Sequence, residues 1–180
     1  MDGGELMTTA DRTGPTRTAF LALDFATYIV ENFSHDPDVA VNAAKALESA
    51  RAAGLPVFHV VHEAMRGQLH PLLGPVGDEP VLAKSTMGAF ATTDLDARLR
   101  AAGVERIVIA GVATSGTVLS TARWAYDIGY EVAVCADACA DPDPRAHAAL
   151  IEESAFPESW IGLWRIARVL NSSEVADLRG

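Results

Sequence analysis

Short apolar runs alternate along the chain with stretches whose apolar residues recur every three or four positions. TAFLALD (18–24), LPVFHVVH (55–62), VERIVIAGV (104–112), YEVAVCAD (130–137) and WRIARV (164–169) are runs of this first kind. Their β-branched content and flanking turn formers predict strands buried on both faces, with VLAKS (81–85) as one more short strand. Between them, DPDVAVNAAKALESARAAG (36–54) places Val39, Ala43, Ala46, Leu47 and Ala50 on one helical face. Asp36 and Pro37 supply its cap and first residue, and Gly54 its stop. Similar spacing predicts helices over 92–103, 113–129 and 144–155. HEAMRGQLHPLLGPVGDEP (62–80) carries Gly and Pro at the density of an irregular loop.

Strands that alternate with amphipathic helices predict an α/β fold, a doubly wound and mostly parallel six-stranded sheet with helices on both faces. Residues 1–17, rich in Gly, Thr and Asp and without apolar period, read as a flexible N-terminal arm, and 18–180 as a single domain.

Composition narrows the partners. A formal net charge of −10 argues against nucleic acid or an anionic membrane surface. The apolar runs fall short of a membrane span, and the first residues lack the order of a signal peptide, so the expected location is cytoplasmic. Cys135 and Cys139 suit neither a disulfide framework nor a zinc site and read as buried free thiols. His59 and His62 look like metal ligands by spacing, but three residues along a strand put them on opposite faces. No metal and no cofactor are expected.

In open parallel sheets ligands lie beyond the carboxyl ends of the strands, which selects Asp24, His62, Lys84, the 111–117 turn and Asp137. Asp24 ends an apolar run, so partial burial suits it to proton transfer; the alternative is a cap for the next turn. Lys84 is one of only two lysines against twelve arginines and sits in an apolar context, where it either holds a buried acid or snorkels to solvent. In GVATSGTVLSTAR (111–123) a strand turns into a helix, and its N–H groups suit a carboxylate or a developing oxyanion. With Thr114 as N-cap, Thr117 falls in the first helical turn; the plain alternative is a capping turn rich in Ser and Thr. Phe25, Tyr28 and Phe90 are candidates for an apolar pocket, or ordinary core.

TAFLALDFATYIV, ARAAGLPVFHVVH and VLAKSTMGAFATTDLDARLRAAGVERIVIAGVATSGTVLSTARWAYDIGYEVAVCADACAD together resemble the isochorismatase-like, or cysteine, hydrolase superfamily from about Thr18 to about Leu170. The resemblance implies a catalytic triad of an Asp after the first strand, a Lys after the short strand and a Cys opening the helix after the fourth. Asp24 and Lys84 match; the cysteine position is Thr117. It also implies a cis peptide between Val112 and Ala113, substrate contacts along Val112, Ala113, Ser115 and Gly116, and an oxyanion hole from the N–H groups near Gly116 and Thr117. Cys139 matches a common non-catalytic cysteine. A homo-oligomer, dimer or tetramer, is implied as well. The Gln-Asn-Asp run common after the first-strand Asp is replaced by Phe25, Ala26, Thr27 and Tyr28, which leaves the substrate class open.

The implied function is a hydrolase acting on a small non-peptide molecule. An alkanol ionises far less readily than a thiol, so Thr117 does not simply inherit the cysteine's role. The first expectation is catalysis by Asp24 and Lys84 with water, on a vinyl ether or related bond. One alternative is an amide or C–N hydrolase with Thr117 as a weak nucleophile. Another is a small-molecule-binding or scaffold homologue without turnover.

Overall fold

The computed structural model describes residues 16–178. Six strands form one all-parallel sheet: β1 (Thr18–Leu23), β2 (Val57–His62), β3 (Val81–Lys84), β4 (Arg106–Val112), β5 (Glu131–Ala140) and β6 (Ala167–Leu170), in the order β3-β2-β1-β4-β5-β6. The helices are α1 (Thr27–Asn32), α2 (Val39–Ala52), α3 (Leu95–Ala101), α4 (Leu119–Asp127) and α5 (Pro144–Ile151). The doubly wound α/β architecture expected from the alternating pattern is thus the one observed.

Strand alternation divides the core in two. Ala19, Leu21 and Leu23 of β1, with Ile107 and Ile109 of β4, face Leu95 and Leu99 of α3 and Val118, Ala122 and Ala125 at the start and along α4. Phe20 and Ala22, with Val108 and Ala110, face the alanine-rich side of α2 and the C-terminal residues Val175 and Leu178. Because successive side chains point to opposite faces, each central strand must be apolar at every position, which explains the unbroken runs.

The differences from the expected elements are local. Residues 1–15 of the expected arm lie outside the described residues, while Arg17 bonds the carbonyl of Ala102 and its own carbonyl accepts from Glu105 and Arg106. The 62–80 segment contains two short 3₁₀ turns, Glu63–Met65 and Pro71–Leu73. α1, too short for a periodic signal, was not anticipated. Strand β5 runs past Asp137 to Ala140, because its pairing with β4 slips: Ile109 sits opposite Val134, but Gly111 sits opposite Cys139. Asp137 is therefore not a strand end. Its carboxylate accepts 2.7 Å bonds from the amide and hydroxyl of Ser172 and ties down the C-terminal segment.

The strand order reverses between β1 and β4, since the chain leaves β1 toward β2 on one side and reaches β4 on the other. This is the switch point where open α/β sheets leave a crevice. The two strands approach closely there: a Cβ on Gly111 would lie 2.6 Å from the Leu23 carbonyl oxygen, so only glycine fits.

Candidate active site

Asp24 follows β1 with φ of 53°, a left-handed conformation that Asp tolerates better than most residues. Two bonds to β2 hold it there: its amide donates to the Val60 carbonyl and its Oδ1 accepts from the His62 amide, both at 2.8 Å. Its Oδ2 meets the ammonium of Lys84 at 2.7 Å. Lys84 ends β3 directly beside His62, is 2% exposed, and also donates to the carbonyls of Thr86 (3.1 Å) and Met87 (2.8 Å). Three donors meet three acceptors, so the ammonium is saturated. The snorkelling alternative for Lys84 does not describe this position.

After β4 the chain passes through a cis peptide between Val112 and Ala113 and enters one π-helical turn, Thr114–Val118, before α4 begins. Thr114 is not the N-cap expected from the sequence. Ala113 occupies that position without a side-chain bond, and the Thr114 hydroxyl lies 2.8 Å from His147 Nδ1. The wider turn redirects the amides: Ser115 donates to Asp141 Oδ2 at 2.7 Å and Gly116 to the Ala113 carbonyl at 3.2 Å. Thr117 is 2% exposed, and its Oγ1 has no hydrogen-bond partner.

These residues surround a cavity of about 610 Å³ lined by Asp24, His62, Lys84, Val112, Ala113, Ser115, Gly116 and Thr117 among others. The remaining expected residues are elsewhere. Phe25 is packed into the α2 core, Phe90 stacks on Tyr130 in the opposite core, and Tyr28 is exposed beside Phe33. The apolar walls come instead from Ile29, Phe33, Met87 and Pro142, which sequence reasoning missed. Asp141 was missed too, although the strand-end rule that selected Asp24 selects it once β5 is given its full length.

His59 and His62 go to different places, as their spacing predicts: His62 to the cavity and His59 to Glu79, 2.9 Å away on the opposite side of β2. The two cysteines are core residues. Burial pushes the Cys139 thiol up to about 12, and that of Cys135 further, so neither supplies a thiolate at neutral pH.

The sequence of residues 18–164 matches the isochorismatase domain family. The chain is 32% identical to isochorismatase family protein YecD of Escherichia coli O157:H7 over 165 residues, 78% of this chain and 84% of that one. It is also 32% identical to the streptothricin hydrolase of Streptomyces noursei over 138 residues, 69% of this chain but half of that longer protein. An isochorismatase family protein from Burkholderia thailandensis superimposes with a TM-score of 0.75 at 29% identity, over 91% of this chain and 97% of that one. With its all-parallel sheet and a cavity at the switch point, the chain belongs to the isochorismatase family of hydrolases.

Proposed function

We propose that the protein hydrolyses a small non-peptide molecule by acid-base catalysis at Asp24, with Lys84 as its electrostatic partner, water as nucleophile and no covalent intermediate. The observation that carries this reading is the contrast between two side chains of one cavity. Asp24 is held in place by the His62 amide and the Lys84 ammonium, whereas the Thr117 hydroxyl has no acceptor for its proton. A threonine nucleophile needs a base within hydrogen-bond reach. Of the two amides expected to receive an oxyanion, that of Gly116 is turned back to the Ala113 carbonyl, which weakens an acyl-transfer reading.

A vinyl ether is cleaved in three steps. The Asp24 carboxyl gives its proton to the terminal alkene carbon, and the other alkene carbon becomes an oxocarbenium centre. Water adds to that carbon and returns a proton to Asp24. The resulting hemiketal breaks its C–O bond with transfer of its hydroxyl proton to the leaving oxygen, giving a ketone and an alcohol. Lys84 fixes the orientation of Asp24 and neutralises the carboxylate whenever the proton is away. The second reading, amide or C–N hydrolysis through Thr117, rests on the burial of that hydroxyl against the cavity.

A panel of enol ethers and small amides, assayed with wild type, Thr117→Ala and Asp24→Asn, separates the two. Full activity in Thr117→Ala with loss in Asp24→Asn is the expected result. An acyl adduct on Thr117 in intact-protein mass spectra would overturn it, and saturable binding without any product would leave a protein that binds but does not turn over.

A further inference from the structure

The cavity wall holds two carboxylates, Asp24 and Asp141, and one cation, Lys84. That cation is already neutralised by Asp24 and saturated by two carbonyls. Among the described residues no arginine lines the cavity. Asp141, 3% exposed, stands apart. Its Oδ2 accepts the Ser115 amide at 2.7 Å and its Oδ1 only a long 3.4 Å contact from the Asp143 amide. Among the described residues no Lys, Arg or His nitrogen forms an ion pair with it.

The histidines nearby do not supply the missing charge. His35 directs Nδ1 to the backbone of Asp141, 2.9 Å from its carbonyl oxygen and 3.3 Å from its amide, and not to its carboxylate. His147 holds Thr114 through Nδ1 and lies 5.2 Å from the His35 ring; burial and then His35 lower its affinity for a proton. Of the other charged groups around this pair, Asp36, Asp143 and Glu152 are acids, and the exposed Arg145 is paired with Asp143. A buried carboxylate without a counter-ion is costly unless something else brings the charge. On the same cavity wall the Thr117 hydroxyl, equally buried, also lacks a partner.

We infer that Asp141 is the specificity residue of this cavity, and that the substrate carries a positively charged nitrogen group, an ammonium or amidinium, which the free lone pairs of Asp141 receive while its body packs on Ile29, Phe33 and Met87. A carboxylate-bearing molecule would bring a third carboxyl group into an enclosure whose one cation has all three donors engaged, and is rejected. The inference rests on the reading above only in placing the substrate in this cavity.

Titration calorimetry of the wild-type protein at neutral pH with three probes of similar size, benzylammonium, benzamide and benzoate, provides the test. A charge-assisted bond in a desolvated site predicts that benzylammonium binds about tenfold or more tighter than benzamide, with benzoate weakest. In Asp141→Asn, which keeps an oxygen for the Ser115 amide, the benzylammonium advantage falls to about twofold or less. Benzoate binding as well as benzylammonium, no saturable benzylammonium binding, or an undiminished advantage in Asp141→Asn would each overturn the inference. The wild-type ranking needs no variant, so a poorly folded Asp141→Asn does not protect it. None of these measurements requires turnover: loss of the cation preference leaves the Asp24 chemistry untouched, and an inert protein with the preference intact removes only that chemistry.

Discussion

Two acid-base clusters lie along β2, one buried and one partly buried, and differ in what they leave unused. At the carboxyl edge, Asp24 accepts one amide and one ammonium and keeps lone pairs that border a cavity. Toward the other edge, Glu79 accepts from Arg51 Nε and Nη2 at 2.8 Å each, from His59 Nε2 at 2.9 Å and from the Val76 amide at 3.0 Å. Burial works against ionisation of Glu79, but the bonds from Arg51, His59 and Val76 outweigh it and hold its pKa at about 2. A saturated carboxylate fastens the 63–80 segment to α2 and β2 and has nothing left for a ligand. An acid-base pair becomes chemically useful where the fold stops short of satisfying it.

Substitutions on the two clusters should therefore fail in different ways. Asp24→Asn preserves the shape and an acceptor for the His62 amide but loses the transferable proton. The expected result is a drop in kcat/KM of about 10³-fold or more, with the melting temperature shifted by only a few degrees. Lys84→Met removes the cation and leaves the Asp24 charge buried, so activity should fall about 10²-fold and stability by about 3 kcal/mol in denaturant titration. Equal activity in either variant would erase the distinction between the clusters.

Glu79→Gln inverts the pattern: kcat stays within about twofold of wild type while stability falls by up to about 3 kcal/mol, less to the extent that solvent still reaches the carboxylate. The pH dependence sharpens this. Folded Glu79 ionises more readily than the unfolded group near 4.5, so its contribution is present above that value and disappears as pH falls toward about 2. His59 adds in the same direction from higher pH: burial lowers its proton affinity below the ordinary 6.5, so the unfolded chain takes up the proton that the folded protein resists. Stability measured from pH 7 downward should decline gently below 6.5 and steeply below 4.5, with the steep limb shallower in Glu79→Gln. The smallest effect is expected for Thr117→Ala, which removes a hydroxyl that bonds to nothing: activity within about twofold and stability within about 1 kcal/mol of wild type.

Legibility followed physical range. Asp24, Lys84 and the 111–117 turn were readable because apolar runs locate strand ends, and parallel sheets gather those ends on one edge. Asp141 was obscured because a slip in strand pairing leaves no local trace, and YEVAVCAD reads as a complete strand. The aromatic candidates missed for a related reason: nearness in sequence to a strand end puts Phe25 near the cavity but does not decide which side of the sheet its ring takes. Nor does Thr/Ser enrichment after Val112 distinguish an α-helical from a π-helical start, although the choice sets where the Ser115 amide points.

The slack in β5 has a wider consequence. Between the positions opposite Ile109 and Gly111, β5 carries more chain than β4 requires, and the surplus puts Asp137 on the C-terminal segment and Asp141 on the cavity. A strand with surplus length can gain or lose a residue there while its flanking ladders stay in register. Each such change is absorbed within the slack, so the pairing of Gly111 with Cys139, and Asp141 beyond it, stay where they are. The fold thus holds a buffer within its most rigid layer: the strand behind the crevice can vary in length while the lining of the crevice keeps its place.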